Sequence, residues 1–158
     1  MKRDVNLQPL SRDHHHGLLL GWKIRQGLKL MTEPELITDY VNYFSIKALF
    51  PHFREEEDFV LIFLDDNDSY KQRTLQEHAD IRGAIKKLTG TDGQVAGLLL
   101  ELAELLESHI RFEERELFPY MQEKLTAAQL EEMGRLINDD HQPFVEDFQP
   151  EFWNTRVD

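Results

Sequence analysis

Four long stretches of the chain carry apolar side chains at every third or fourth position, and none of useful length alternates apolar and polar residues one by one. The first pattern lays a single apolar stripe along an α-helix, whereas a half-buried strand needs a period of two. The chain is therefore expected to be all-α. Punctuation at the ends of the stretches supports this. The first helix should begin after Pro9 with Ser11 as its N-cap and run to about Leu30, with Leu10, His14, Leu18, Gly21, Ile24 and Leu28 inward. The second opens at Thr32-Glu33-Pro34-Glu35, a capping-box spacing with proline in the first turn, and reaches about Leu64. The third spans about Tyr70 to Leu88, its inner line being Leu75, His78, Ile81 and Ile85, and Gly90 closes it. The fourth runs from near Asp92 to Lys124 with Leu98, Leu102, Leu105, Leu106, His109 and Leu117 inward and an interruption expected at Pro119. Thr126-Ala127-Ala128-Gln129 then opens a short fifth helix ending near Asp140, followed by an aromatic tail.

Short links between long helices force neighbours antiparallel, so the expected architecture is an up-down-up-down four-helix bundle over residues 11–124, with the accessory helix and tail, 126–158, folded against it. At 158 residues the chain reads as one domain. A net charge of -12, from 30 acidic and 18 basic side chains, repels phosphate backbones and anionic membrane surfaces, so neither nucleic acid nor membrane is an expected partner. There is no cysteine, which leaves only nitrogen and oxygen to hold any metal. Neither a signal-peptide core nor an apolar run of membrane-spanning length is visible, and a cytoplasmic location is expected.

Of the seven histidines, His14, His52, His78 and His109 fall one per long helix on faces otherwise built from Leu, Ile or Phe. Burying four imidazoles without partners would cost several hydrogen bonds, and a shared cation would satisfy one nitrogen of each. His52 and His109 each have a glutamate four residues on, Glu56 and Glu113, which fall on the same inward line about 6 Å away. These six residues are the candidate metal ligands. Within the run His14-His15-His16 successive side chains point about 100° apart, so only one or two can face the interior. His14 shares its face with apolar residues and with Gly17 and Gly21, His15 is the rim alternative, and His16 is expected in solvent. His141, at the end of the fifth helix, is either a capping residue or a lid on an open coordination position. Glu55, Glu57, Glu114 and Glu116 are expected to carry solvated or rim-facing charges.

The stretches LSRDHHHGL, PHFREEEDF, EHADIR and, most specifically, SHIRFEERELFPYM resemble the hemerythrin-like (HHE cation-binding) domain family over residues from about 10 to 122. The resemblance implies a four-helix bundle around a non-haem iron centre, usually two irons bridged by carboxylates. It implies roles in binding dioxygen or nitric oxide, in sensing iron or redox state, or in repairing damaged iron centres. Carried over by motif, His52, His78 and His109 would be terminal ligands, Glu56 and Glu113 bridges, and His14 or His15 the ligand from the first helix. Oxygen carriers of the family use five histidines, two of them as His-x-x-x-His on the third helix. Here Thr74 and Arg82 stand four residues before and after His78, so reversible oxygen transport is not implied. Ferritin-like sites are excluded by the absence of their Glu-x-x-His element.

Imidazoles and hard carboxylates suit iron, with other divalent metals able to enter during overexpression. The leading expectation is a domain that binds or senses dioxygen, nitric oxide, or redox or iron state. The alternatives are an iron-dependent redox enzyme acting on a small oxidant such as peroxide or nitric oxide, and a metal-free helical interaction domain.

Overall fold

In a computed structural model, residues 1–90 and 94–154 are described. Among them there are helices and no strand. α1 is Gln8–Lys29, α2 covers residues 34–63, α3 is Ser69–Lys87, α4 covers 95–124, and α5 is Ala127–Asp140. α1 packs along α4, α4 along α3, and α2 against α1 and α4, as a four-helix bundle requires.

α2 and α4 are not uniform. In α2 the π-turns Ser45–Leu49 and Glu56–Val60 interrupt the α-helix, and in α4 the π-turn Glu113–Leu117 does so. Two of the three are followed by a proline at the second position, Pro51 and Pro119. A proline ring has no N–H to give and crowds the carbonyl one turn back. The wider turn accommodates it, with the Phe50 N–H reaching Ser45 O and the Phe118 N–H reaching Glu113 O. The interruption expected at Pro119 thus takes the form of a π-turn that starts at Glu113.

Several ends differ from expectation. α1 starts at Gln8 after Leu7, because Asp4 already turns the chain: its carboxylate accepts from the Asn6 N–H and its carbonyl from the Leu7 N–H. Ser11 therefore lies inside the helix, and its hydroxyl donates to Glu114 at 3.0 Å. α2 is preceded by Glu33 with no side-chain cap, so Thr32 does not act as one. Asp68 caps α3 by accepting from the Tyr70 and Lys71 amides, and Thr126 with Gln129 forms the expected capping box. The proposed start of the fourth helix at Asp92 lies outside the described residues.

Leu18 and Leu75, expected inward, are 45% and 40% exposed. The inner line of α1 passes instead through Leu10, His14, Gly17, Leu20 and Ile24, and that of α3 through Thr74, His78, Ile81 and Ile85. Gly17 is required by the close approach of α1 to α4, since a Cβ there would sit 2.7 Å from Ile110 Cδ1. The buried apolar side chains form two clusters. One contains Leu20, Ile24, Phe53, Ile81 and Leu106, the other Leu10, Val60, Phe118, Met121 and Met133. Between them the chain places a polar layer.

Candidate metal centre

The layer consists of His14 from α1, His52 and Glu56 from α2, His78 from α3, and His109 and Glu113 from α4, each at most 5% exposed. All four imidazoles turn Nε2 toward two carboxylates. His52 Nε2 and His78 Nε2 stand 3.2 and 3.1 Å from Glu56 Oε1, while His14 Nε2 and His109 Nε2 stand 2.9 and 3.3 Å from Glu113 Oε1. Two four-residue groups result, His14, His52, Glu56, Glu113 and Glu56, His78, His109, Glu113, each with donor atoms within 4.8 Å of one another. They share both glutamates. Two ligands about 2.1 Å from a common ion and at right angles to each other lie roughly 3 Å apart, the spacing seen here. His15, the alternative on α1, is exposed, and His16 is half-buried against the Phe144 ring at 5.4 Å.

Four buried atoms aimed into the layer, His52 Nε2, His109 Nε2, Glu56 Oε2 and Glu113 Oε2, have no hydrogen-bond partner. His52 and His109 lie close to a carboxylate oxygen without the alignment of a hydrogen bond. Buried polar atoms are almost always paired, and four orphans converging on one place are the signature of a group that binds there. The donor set, imidazole nitrogen and carboxylate oxygen, fits a hard or borderline cation.

On the outer side, the rings are held by a second set of carboxylates. His52 Nδ1–H donates to Asp13 at 2.9 Å, His78 Nδ1–H to Glu57 at 2.6 Å, and His109 Nδ1–H to Glu77 at 2.8 Å. Glu114 stands 3.5 Å from His14 Nδ1 without forming a hydrogen bond. Each of these acids is the chain neighbour of a candidate ligand and serves the histidine of the next helix: α1 to α2, α2 to α3, α3 to α4, and α4 back to α1. The cycle fixes the Nδ1–H tautomer and points Nε2 inward. Three of the acids are in turn paired with arginines, Glu57 with Arg82 at 2.9 Å, Glu77 with Arg73 at 2.8 Å and Glu114 with Arg3 at 3.1 Å. Asp13 faces His141 Nε2 at 3.4 Å. Three of the outer charges are therefore compensated by arginines, whereas Glu56 and Glu113 have only the imidazoles.

Burial opposes charge on every imidazole, yet the carboxylates outweigh it. His14 is raised by Glu113 and Glu114, His52 well above its ordinary value by Glu56 and Asp13, His78 by Glu56 and Glu57, and His109 to about 10 by Glu113 and Glu77. Burial would lift the Glu113 carboxyl, but His109 and His14 hold it well below the usual range. Without a cation the layer is held together by protons, and a cation replaces them.

Glu57 and Glu114, expected as solvated or rim-facing charges, are half-buried partners of His78 and His14, whereas Glu55 departs from that expectation and is buried at 3% exposure. Glu55 accepts from His141 Nδ1 at 2.9 Å, so Asp13, Glu55 and His141 form a third small cluster beside the layer. Glu116 is exposed as expected. The signal for the outer acids was present as Asp13-His14, Glu56-Glu57, Glu77-His78 and Glu113-Glu114. Thr74, in place of a second α3 histidine, is buried with its hydroxyl donated to Tyr70 O at 2.8 Å, and Arg82 is turned outward to Glu57. A cavity of about 290 Å³ borders the layer, reaching His14, His52 and His109 and bounded by α5 and the tail.

The family model described as the Hemerythrin HHE cation binding domain matches residues 10–121 and, in a second overlapping match, 73–149. The second match starts inside α3, where the acid-His helix followed by a His-x-x-x-Glu-Glu helix recurs. No curated protein and no solved structure matches the chain.

Proposed function

The chain belongs to the hemerythrin HHE cation-binding family, and from that premise we propose that it holds two iron ions in the polar layer and uses them to bind or sense dioxygen, nitric oxide or redox state. His14 and His52 would serve one ion, His78 and His109 the other, with Glu56 and Glu113 shared by both. The observation that carries this reading is the set of four orphaned, inward-facing atoms of His52, His109, Glu56 and Glu113. Bound iron supplies one-electron redox chemistry and open positions for a small ligand. The protein's contribution is the fixed Nδ1–H tautomer, the dry apolar layers above and below, and the stacking of Phe53 on His78 at 4.0 Å, which closes that flank.

Four imidazoles distributed over two ions leave more open positions than a five-histidine oxygen carrier has, which favours sensing or reaction over transport. In protein expressed with supplemental iron, elemental analysis is expected to give about two irons per chain, with absorption bands that change on reduction and return in air. Folded protein that was never exposed to chelator and holds no stoichiometric metal would overturn the assignment. The alternative reading, a redox enzyme acting on peroxide or nitric oxide, is favoured by the cavity beside the layer and is separated from sensing by steady turnover above that of free iron.

A further inference from the structure

A diatomic gas needs little room, and the space beside the layer is large. Roughly 10–15 Å³ of such volume holds a water, whereas this cavity offers about 290 Å³, close to the lower end of small-molecule sites. Phe44, Leu49, Phe53, Leu106, Ile110 and Phe144 supply apolar walls. His14, His52 and His109 border it on the metal side, while Glu55, Asp13 and His141 add a separate polar element. The carboxylates of Glu55 and Asp13 keep acceptor capacity beyond their bonds to the histidines, because an ionised carboxylate has about four lone-pair sites. Lys47 and Arg54, both exposed, stand at the edge of the same cavity. Carboxylates within disfavour an anion; Arg54 is already paired with Asp140 at 2.9 Å, and the apolar walls give a charged ligand nothing to replace the water it would lose. What remains is a neutral ligand with a flat apolar body and a hydrogen-bond donor.

We infer that this cavity is a binding site for a small neutral aromatic alcohol of the phenol class, its ring against the phenylalanine walls and its hydroxyl donating to Glu55 or Asp13. The inference rests on the metal reading for its biological sense, but its geometry does not. The dimensions suit one ring with a short substituent, and the ligand lies against the His14 and His52 side of the layer.

The probe is 4-methylphenol, titrated calorimetrically into iron-loaded protein of measured metal content, with 4-methylanisole, which lacks the donor, as comparison. Saturable binding of one molecule per chain is expected, with a Kd of about 0.1–1 mM and the anisole at least about tenfold weaker. Ala48→Trp, which fills the cavity from α2 and replaces none of the candidate ligands, should abolish binding at unchanged metal content. Absence of binding to metal-loaded protein, equal binding of the anisole, or binding that survives Ala48→Trp would each overturn the proposal. The wild-type comparison of the two probes needs no variant and stands if Ala48→Trp fails to fold. Protein that takes up no iron yet binds the phenol would retire the iron reading and keep the cavity, whereas iron-loaded protein that does not bind it would do the reverse.

Discussion

Two of the polar clusters among the described residues are built on opposite principles. Lys23, 7% exposed, places Nζ 3.0 Å from the Tyr40 hydroxyl and 2.8 Å from Glu146, above the Trp153 ring at 4.0 Å. Tyr40 also donates to Glu146, and its hydroxyl is raised by burial and by that carboxylate. One cation meets one anion, each polar atom has a partner, and the product is a clamp that ties the tail to α1 and α2. The six-residue layer is buried throughout, whereas Glu146 lies at the surface, and it leaves five atoms orphaned, four of them facing inward, and two carboxylates without a permanent cation. Clustering of charged groups is common to both. The difference is satisfaction: the clamp is closed upon itself, and the layer is complete only with a guest.

The largest test of that contrast is Glu113→Ala. It removes the carboxylate proposed to be shared by two ions and strands His14 and His109, so metal content should fall from about two per chain to less than one. The fold should lose about 3–5 kcal/mol by urea denaturation. Unchanged metal content would make the layer a structural network like the clamp. Glu77→Gln is milder: it leaves every candidate ligand in place and weakens the outer hold on His109 together with the partly exposed ion pair to Arg73. Metal affinity measured against a competing chelator should drop about 10–100-fold, and no drop would mean that packing alone orients the ring. Lys23→Met should cost about 1–3 kcal/mol and loosen the tail to proteolysis while metal content stays constant. Loss of metal there would show that the two clusters are coupled.

How far the sequence foretold this contrast depends on which direction a residue faces. Residues on the inward line were legible because helical period and apolar neighbours report on one face: His14 is inside and His15 outside, and His52, His78 and His109 sit among the core side chains. Outer carboxylates were not. Glu57 and Glu114 follow an inward residue by one position and so point about 100° away from it, which reads as solvent on an isolated helix. In a bundle that direction is the seam with the neighbouring helix. Glu55 was missed for a related reason, since no periodicity reports which flank of α2 the end of α5 covers. Ser11 looked like a cap only because the turn made by Asp4, three residues before the N-cap Leu7, lies outside any helical pattern. The layer itself leaves its own trace in the fold, because both shared glutamates open π-turns, where helices are most often distorted for function.

The finest test uses pH, and it separates proton from cation as the guest of the layer. In metal-free protein the four imidazoles have folded pKa values raised above their ordinary 6.5, His109's to about 10. Their contribution to stability is fully present below pH 6.5 and is lost as pH rises through the folded values, so the urea midpoint of chelated protein should decline between about pH 6.5 and 10. Glu113, held below its ordinary 4.5, contributes throughout that window and does not alter the slope. In metal-loaded protein the same imidazoles must be neutral to ligate, and protons compete with the ion, so affinity climbs across the same window and adds a stabilisation of opposite slope. The two midpoint curves should therefore diverge with increasing pH. Parallel curves would mean that the ion, if bound, does not displace protons from these histidines, and the layer would then be a second closed network of the Lys23 kind.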